Sequence, residues 1–209
     1  MIYISLLTIR QIDIKKIVAY SSIAHMSICV LGIFSFNLLA LKGSLLMMVG
    51  HGLISPGLFL CIHFLYVRFK TRILYYFGGI VQTMPLFSLV FLLLILANLS
   101  IPLISPTFVA EFLIISGIFL VNKWIAVLAA MTIVLTGSYS LFFYVKVCLG
   151  NLKLVFLKTF SDLNRFEIAQ ILPFVLLIII LGCQPQFFLN TIDSTIMHLL
   201  ELKCITVED

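Results

Sequence analysis

Three ionisable side chains lie well inside long apolar stretches of the sequence: His25, His51 and Glu111. A histidine titrates near neutral pH and can exchange a proton through either ring nitrogen. A charged group at bilayer depth costs roughly 2.5–3.5 kcal/mol on insertion scales, so such residues usually face a protein interior and have a function. The three residues therefore indicate a proton path. The alternative is that each is a hydrogen-bonded packing residue.

Glu111 follows two prolines, Pro102 and Pro106, within the apolar stretch from Asn98 to Ile115. Proline frees backbone carbonyls in a membrane helix, and this is tolerated where protein or a water-filled cavity satisfies them. A broken helix beside a single acid is typical of an ion path. A glutamate that snorkels from a helix end, or one that is hydrogen-bonded for packing, is the alternative.

Hydroxyl groups precede the first histidine in the run Tyr20-Ser21-Ser22. Ser21 and Ser22 stand four and three residues before His25, so all can share one helical face. His51 lies between two glycines, where the missing side chains let another helix or water approach. This pattern favours a chain of hydrogen-bonding groups along the middle of the membrane.

The composition places the chain among polytopic helical membrane proteins. Of its 209 residues 63% are hydrophobic and 10% are charged, and the mean hydropathy is +1.25, which excludes an ordinary soluble domain. No G-x-G-x-x-G or P-loop motif is present, so nucleotide binding is not expected. The net charge of +5 comes from cations between apolar segments. Membrane orientation explains these cations better than nucleic-acid binding does.

The cysteines and the remaining histidines suggest no further site. None of the five cysteines forms a C-x-x-C pair, so neither an iron–sulfur cluster nor a zinc site is expected. We expect no catalytic, cofactor-binding or metal-binding residue in this chain. His63, near a basic helix end, and His198, in the tail, are interpreted as packing or surface residues.

The apolar pattern predicts an all-α fold, a polytopic membrane protein with a single transmembrane domain, 1–209. An entry loop is expected over 1–16, although residues 1–9 are apolar like the end of a helix. The membrane helices fill 17–189, and a tail over 190–209 is expected to lie along the membrane interface. The expected elements are helices 17–34, 44–67, 124–149 and 168–189, a turn over 35–43, and a discontinuous helix within 83–121, broken around Pro102–Glu111.

The distribution of cations decides whether the region 83–121 crosses the membrane once or twice. A single broken crossing places ten cations on one side and three on the other, whereas two crossings give eight and five. Since lysine and arginine accumulate on one side, the stronger bias favours one crossing here and five in total. The ten are Arg10, Lys15, Lys16, Arg68, Lys70, Arg72, Lys146, Lys153, Lys158 and Arg165, and the three are Lys42, Lys123 and Lys203.

These residues carry a resemblance to a known family. The run Arg10-Gln-Ile-Asp-Ile-Lys-Lys-Ile-Val-Ala-Tyr-Ser-Ser-Ile-Ala-His-Met26 resembles the R-Q-x-D-x-K-x-x-x-A-Y-S-S-x-x-H-M motif of the antiporter-like subunits of respiratory complex I. The match covers roughly residues 8–200. It continues through Gly50-His-Gly-Leu-Ile-Ser55, Phe108-Val-Ala-Glu-Phe112 and Gly182-Cys-Gln-Pro-Gln-Phe-Phe-Leu189.

The resemblance implies a proton-translocating subunit of the membrane arm. Such subunits conduct protons along a line of buried Lys, His and Glu residues, driven by quinone reduction elsewhere in the complex. His25, His51 and Glu111 match positions of that line. A subunit of a related cation/proton antiporter and a non-conducting structural subunit are the alternatives.

The resemblance also implies partners and a location. Other membrane-arm subunits and lipid would surround the chain, in the mitochondrial inner membrane or in a bacterial plasma membrane. The chain would be part of an NADH:ubiquinone reductase without performing redox catalysis itself. Flavin and iron–sulfur clusters would lie elsewhere in the complex.

The resemblance covers the C-terminal half of such a subunit. The buried glutamate and lysines of the family's earlier helices have no counterpart in residues 1–209. A companion polypeptide that supplies them is therefore expected, unless the subunit is truncated. Three positions depart from the family pattern: Leu103 and Ala110 replace glycines around the break, and Val67 replaces an acidic residue.

Overall fold

A computed structural model describes the backbone of residues 1–102, 104–151 and 161–207, and the side chains of these residues up to 197. The all-α prediction is confirmed. In this part of the chain the helices are α1 (Ile2–Ile9), α2 (Ile14–Phe34), α3 (Leu38–Phe69), α4 (Ile80–Thr83), α5 (Pro85–Asn98), α6 (Pro106–Val121), α7 (Lys123–Cys148), α8 (Arg165–Cys183) and α9 (Pro185–Val207), with a short 3₁₀ turn at Leu74–Tyr76.

Four helices are long and apolar enough to cross a membrane: α2, α3, α7 and α8. Helices α5 and α6 are also apolar but have 14 and 16 residues, fewer than the roughly 20 that a span requires. The chain is therefore a multi-pass membrane protein in which α5 and α6 need a separate explanation.

Helices α5 and α6 follow one another along α3 and together make one crossing. At the start of α3, the Asn37 side chain donates to the carbonyl oxygen of Gly117, near the end of α6, at 3.0 Å. At the end of α3, Arg68 donates to the carbonyl oxygen of Asp162, whose carboxylate accepts from the amide of Phe87 in the first turn of α5. The prediction of one broken crossing, and so of five in total, is confirmed.

The loops expected on one side meet at one end of the bundle, which we call the basic end. The amide of Ile14, at the start of α2, donates to the carbonyl oxygen of Arg72 at 3.0 Å. The Arg68 guanidinium donates to both carboxylate oxygens of Glu167, at 3.0 and 2.6 Å. The starts of α2 and α8 therefore share this end with the end of α3. Eight of the ten predicted cations lie here, and the other two, Lys153 and Lys158, lie outside the described residues.

Small residues bring α3 and α6 into close contact. A Cβ atom on Gly43 would lie 2.7 Å from the carbonyl oxygen of Ala110, and one on Gly117 would lie 2.7 Å from Cβ of Ala40. Membrane helices approach closely where the residues between them are small, because lipid gives no hydrophobic force that drives helices together. These glycines therefore set the distance between the helices that carry His51 and Glu111.

The buried core has two parts, and the three titratable residues lie between them. The larger part, towards the basic end, contains Val18 and Ile54 together with a cluster of phenylalanine rings. The smaller part, towards the opposite end, contains Ile28 and Met47. Along α2 and α3 the histidines fall between these residues, so they occupy the middle of the bundle.

Some predicted boundaries near the N-terminus are wrong. The expected entry loop covers only 10–13, because Ile2–Ile9 are helical, as their apolar pattern indicates, and α2 begins at Ile14. The expected turn over 35–43 ends at residue 37. There the Asn37 side chain accepts from the amide of Leu39 at 3.3 Å and caps α3, which continues to Phe69.

The helix expected over 168–189 is in fact two helices. Helix α8 ends at Cys183 and α9 starts at Pro185, because proline has no amide to donate and its fixed φ suits the first helical position. Helix α9 thus continues into the tail. There Oδ1 of Asp193 lies 2.8 Å from Nζ of Lys42 on α3. The interfacial position of the tail stays a prediction. The side chains of His198 and Lys203 lie outside the described residues.

Candidate proton path

The three titratable residues singled out in the sequence meet in the interior. Nδ1 of His25 lies 3.4 Å from Oε1 of Glu111, and the ring centroids of His25 and His51 are 5.4 Å apart. The side chains of His25 and Glu111 are 1% and 3% exposed, and His51 is 7% exposed. Helices α2, α3 and α6 thus place three proton-exchanging groups within reach of one another, directly or through a bridging water.

The polar atoms of this group have few partners within the chain. The contact between Nδ1 of His25 and Oε1 of Glu111 is not aligned as a hydrogen bond, and neither atom has another partner among the described residues. Nε2 of His25 and Nε2 of His51 also have no hydrogen-bond partner among the described residues. Buried polar groups in native proteins are hydrogen-bonded, so small rotations or water must satisfy these atoms. Either arrangement lets a proton pass between imidazole and carboxylate.

The helix break positions Glu111 through two buried hydroxyls. Helix α6 begins at Pro106, and Glu111 lies in its second turn. Oγ1 of Thr107 donates to the carbonyl oxygen of Ala97, near the end of α5, at 3.0 Å, and lies 3.0 Å from Oγ of Ser105. These contacts satisfy backbone that the break frees and fasten the start of α6 to the end of α5.

The break also lies against His51. Pro102 lies within the break between α5 and α6, and Pro106 is the residue at which α6 begins, so both prolines stand at the interruption that the sequence predicts. Ser100, just before it, has a φ of 59°, a conformation that is common for glycine. A Cβ atom on Gly50 would lie 3.0 Å from Cγ of Pro106. The backbone of α3 therefore approaches the break next to His51.

The departures from the family pattern fit the packing where the structure describes them. Ala110 is fully buried, and its backbone carbonyl packs against Gly43 on the opposite helix. Val67 is exposed, and the arginine that follows it pairs with Glu167. Leu103 lies outside the described residues.

The hydroxyls expected to support His25 have other partners. Ser21 and Ser22 both donate to a backbone carbonyl one turn earlier, at 2.8 and 3.1 Å, and Oγ of Ser22 lies 3.3 Å from Oγ of Ser55 on α3. They share the helix with His25 without a hydrogen bond to it, and Tyr20 is half-buried. A contribution of Ser21, Ser22 or Tyr20 to the path stays a prediction.

His63 lies apart from this group. It is exposed at the basic end, where it lines a shallow cavity together with Lys15, Tyr66 and Arg72. This position fits the surface role that the sequence suggests. The group of titratable residues in the middle of the bundle therefore contains the two histidines that were expected there.

Sequence reasoning missed two neighbours of the path, Tyr139 and Ser100. Tyr139 on α7 is 3% exposed, its hydroxyl has no hydrogen-bond partner among the described residues, and it lies within electrostatic reach of Glu111. Oγ of Ser100, within the break, is likewise buried without a partner there. A signal was available for Tyr139, because Thr132, Thr136 and Tyr139 recur every three or four residues along an apolar helix.

Comparison with known proteins places the chain in a family. A family model described as NADH:quinone oxidoreductase/Mrp antiporter, TM, matches residues 1–136. NADH-ubiquinone oxidoreductase chain 4 of Marchantia polymorpha is 49% identical over 200 residues, which are 96% of this chain and 40% of that protein. The chain thus spans about two fifths of the length of such curated relatives.

Two solved structures share the fold. A chain of respiratory complex I from Thermus thermophilus with bound NADH has a TM-score of 0.84 at 27% identity, over 95% of this chain and 42% of that chain. A chain of the Mrp complex from Dietzia sp. DQ12-45-1b has a TM-score of 0.79 at 19% identity, over 95% and 45%. The resemblance inferred from the sequence is confirmed, and the chain belongs to the transmembrane NADH:quinone oxidoreductase/Mrp antiporter family.

Proposed function

We propose that this chain conducts protons within the membrane arm of a respiratory complex I. The observation that carries the proposal is the buried contact of 3.4 Å between His25 and Glu111, with His51 beside it and a helix break close to Glu111 and His51. Ion-coupled membrane proteins place titratable groups at such breaks, where neighbouring protein or water satisfies the freed backbone. Likeness to chain 4 of NADH-ubiquinone oxidoreductase supports the same reading.

In this function His25 is the central relay. One imidazole nitrogen takes up a proton while the other releases one, so the ring needs no lasting charge. His51, on α3, exchanges protons with His25. Glu111, on α6, also exchanges protons with His25. Ser21, Ser22 and Tyr20 precede His25 on α2, where they could hold water between this group and the basic end.

The partners follow from the same proposal. Other membrane-arm subunits would surround the chain, in the mitochondrial inner membrane or in a bacterial plasma membrane. The buried glutamate and lysines of the family's line would come from protein outside residues 1–209, with a separate companion polypeptide as one source. Redox catalysis, flavin and iron–sulfur clusters would belong to other chains of the complex.

A cation/proton antiporter subunit is the second candidate, because a chain of the Mrp complex has the same fold. Purification of the assembly that contains this chain separates the two functions. If the chain belongs to a complex I, the purified assembly should show flavin absorbance and iron–sulfur signals. It should also acidify reconstituted vesicles when NADH is supplied. Sodium/proton exchange without any of these would contradict our proposal and support the antiporter.

A further inference from the structure

Buried polar atoms without a partner are concentrated at the candidate proton path. Among the described residues there are seven such side-chain atoms, and six of them belong to His25, His51, Ser100, Glu111 and Tyr139. The seventh, Oδ1 of Asp193, lies outside this group and is paired with Lys42 at 2.8 Å. Since the interior of a native protein leaves few polar atoms unpaired, such a concentration points to bridging water or to a functional role at this place. Tyr139 is the member of this group with a proton to exchange that the proposed function does not use.

The geometry of α6 and α7 brings Tyr139 towards Glu111. The two helices form an antiparallel hairpin about Asn122, whose side chain caps α7. Tyr139 is 17 residues from Asn122 and Glu111 is 11, so Tyr139 lies about 9 Å farther from the turn. Helical side chains lean towards the N-terminus of their own helix, so in an antiparallel pair these two lean towards each other. Helices α6 and α7 pack against each other, which agrees with this arrangement.

Further hydroxyls continue from Tyr139 along the buried face of α7. Thr136 and Thr132 lie one and two turns before it, and both are buried. Oγ1 of Thr136 donates to the carbonyl oxygen of Ile133 at 2.7 Å, so its lone pairs are free to accept a hydrogen bond. These residues run from the level of Tyr139 away from the basic end. Beyond Tyr139 in the other direction the buried residues of α7 are Ser140, whose hydroxyl donates to the carbonyl oxygen of Gly137, followed by Phe143, Val147 and Cys148.

We propose that Tyr139 is a further residue of the proton path and takes over the proton from Glu111. This rests on the proposed function. The carboxylic acid of Glu111 gives its proton to the phenolic oxygen, directly or through one water. The phenol releases its own proton to water on the Thr136 side, so that Glu111 ends as a carboxylate and Tyr139 stays neutral. Thr136 is a positioning residue, because its oxygen accepts from the water that takes up the phenolic proton and so holds that water beside Tyr139.

The substitution Tyr139→Phe in the intact complex tests this step, because it removes one hydroxyl and keeps the ring. We expect the rate of NADH-driven proton pumping in vesicles to fall at least about tenfold. The infrared band of the Glu111 carboxyl group, identified by its loss in Glu111→Gln, should shift. Tyr144→Phe, on the same helix but in ring contact with Phe91, should change neither.

The outcomes separate this proposal from the proposed function. If Glu111→Gln lowers pumping while Tyr139→Phe changes neither the rate nor the carboxyl band, the path stands and the role of Tyr139 is refuted. If Glu111→Gln itself pumps normally, the proposed function fails first. Should Tyr139→Phe prevent assembly, Thr136→Val and Thr136→Ser decide. Slower pumping in Thr136→Val with recovery in Thr136→Ser supports the role of the phenol, and equal pumping in both variants overturns it.

Discussion

At the scale of single residues, His25 is the member of the path with contacts to both other members. It lies 3.4 Å from Glu111 and 5.4 Å, between ring centroids, from His51. The sequence singled out three titratable residues, which the structure brings together, because charged and titratable groups are rare in apolar segments. It did not predict which of them touch, because a contact between three helices depends on how closely these helices pack.

We expect His25→Gln to block the path while the complex still assembles. Glutamine keeps the size and hydrogen-bonding capacity of the side chain but does not titrate, so no proton crosses between its two polar atoms. Proton pumping in reconstituted vesicles should fall at least about tenfold. His63→Gln, at the exposed histidine of the basic end, should pump like the unaltered complex. Equal pumping in both variants would remove His25 from the path.

The sequence also predicted a role for the serines before His25 from their spacing, and here the local contacts differ. Oγ of Ser21 donates to a backbone carbonyl, as serine commonly does inside helices, and Ser22 additionally contacts Ser55. Spacing places side chains on a shared helix face, whereas competition with the backbone decides where a hydroxyl points. Tyr139 illustrates the opposite case, since its spacing with Thr132 and Thr136 was visible in the sequence, whereas its approach to Glu111 depends on how α6 and α7 pack.

At the scale of elements, the contact between α3 and α6 brings the path together. The sequence indicated a broken helix from Pro102 and Pro106, and the break is present. It did not reveal that α3 runs beside both halves of that helix. This arrangement depends on pairs of small residues, such as Gly43 with Ala110, that become neighbours only when the helices are packed.

Enlarging Gly43 should therefore separate the members of the path. In Gly43→Val the new Cβ would meet the carbonyl oxygen of Ala110 at 2.7 Å, and overpacking of this kind typically costs about 1–3 kcal/mol. We expect a lower melting temperature of the purified complex and slower pumping, because α6 moves away with Glu111. Gly52→Ala is the matched control on the same helix, since a Cβ there has no neighbour within 4 Å. The account of the helix contact is wrong if the two variants have the same stability.

At the scale of the whole molecule, the distribution of charge predicted the topology. Ten cations against three favoured one crossing for the region 83–121, and the contacts of Arg68 with Asp162 and Glu167 join loops that the count assigned to one side. The division of the last segment into α8 and α9 was not predicted. The hydropathy of this segment is the same whether the chain bends at Pro185 or continues as one helix, so hydropathy does not reveal the division.

Labelling of single cysteines should show this sidedness in the membrane, on a background without the five native cysteines. Thr71→Cys and Ser161→Cys lie at the basic end and should react with an impermeant reagent from the same side. Lys123→Cys, in the exposed turn between α6 and α7, should react from the other side. Labelling of Thr71→Cys and Ser161→Cys from opposite sides would mean that the region 83–121 crosses an even number of times.

If a proton passes through Glu111, pumping must depend on the titratable proton of this side chain. Glu111→Gln keeps the shape of the side chain and removes its titratable proton. Protons pumped per electron are measured in vesicles that contain the intact complex, beside Asp13→Asn, which alters an exposed carboxylate paired with Lys16. The account predicts an assembled complex with reduced pumping for Glu111→Gln and normal pumping for Asp13→Asn. Full pumping per electron in Glu111→Gln would contradict it.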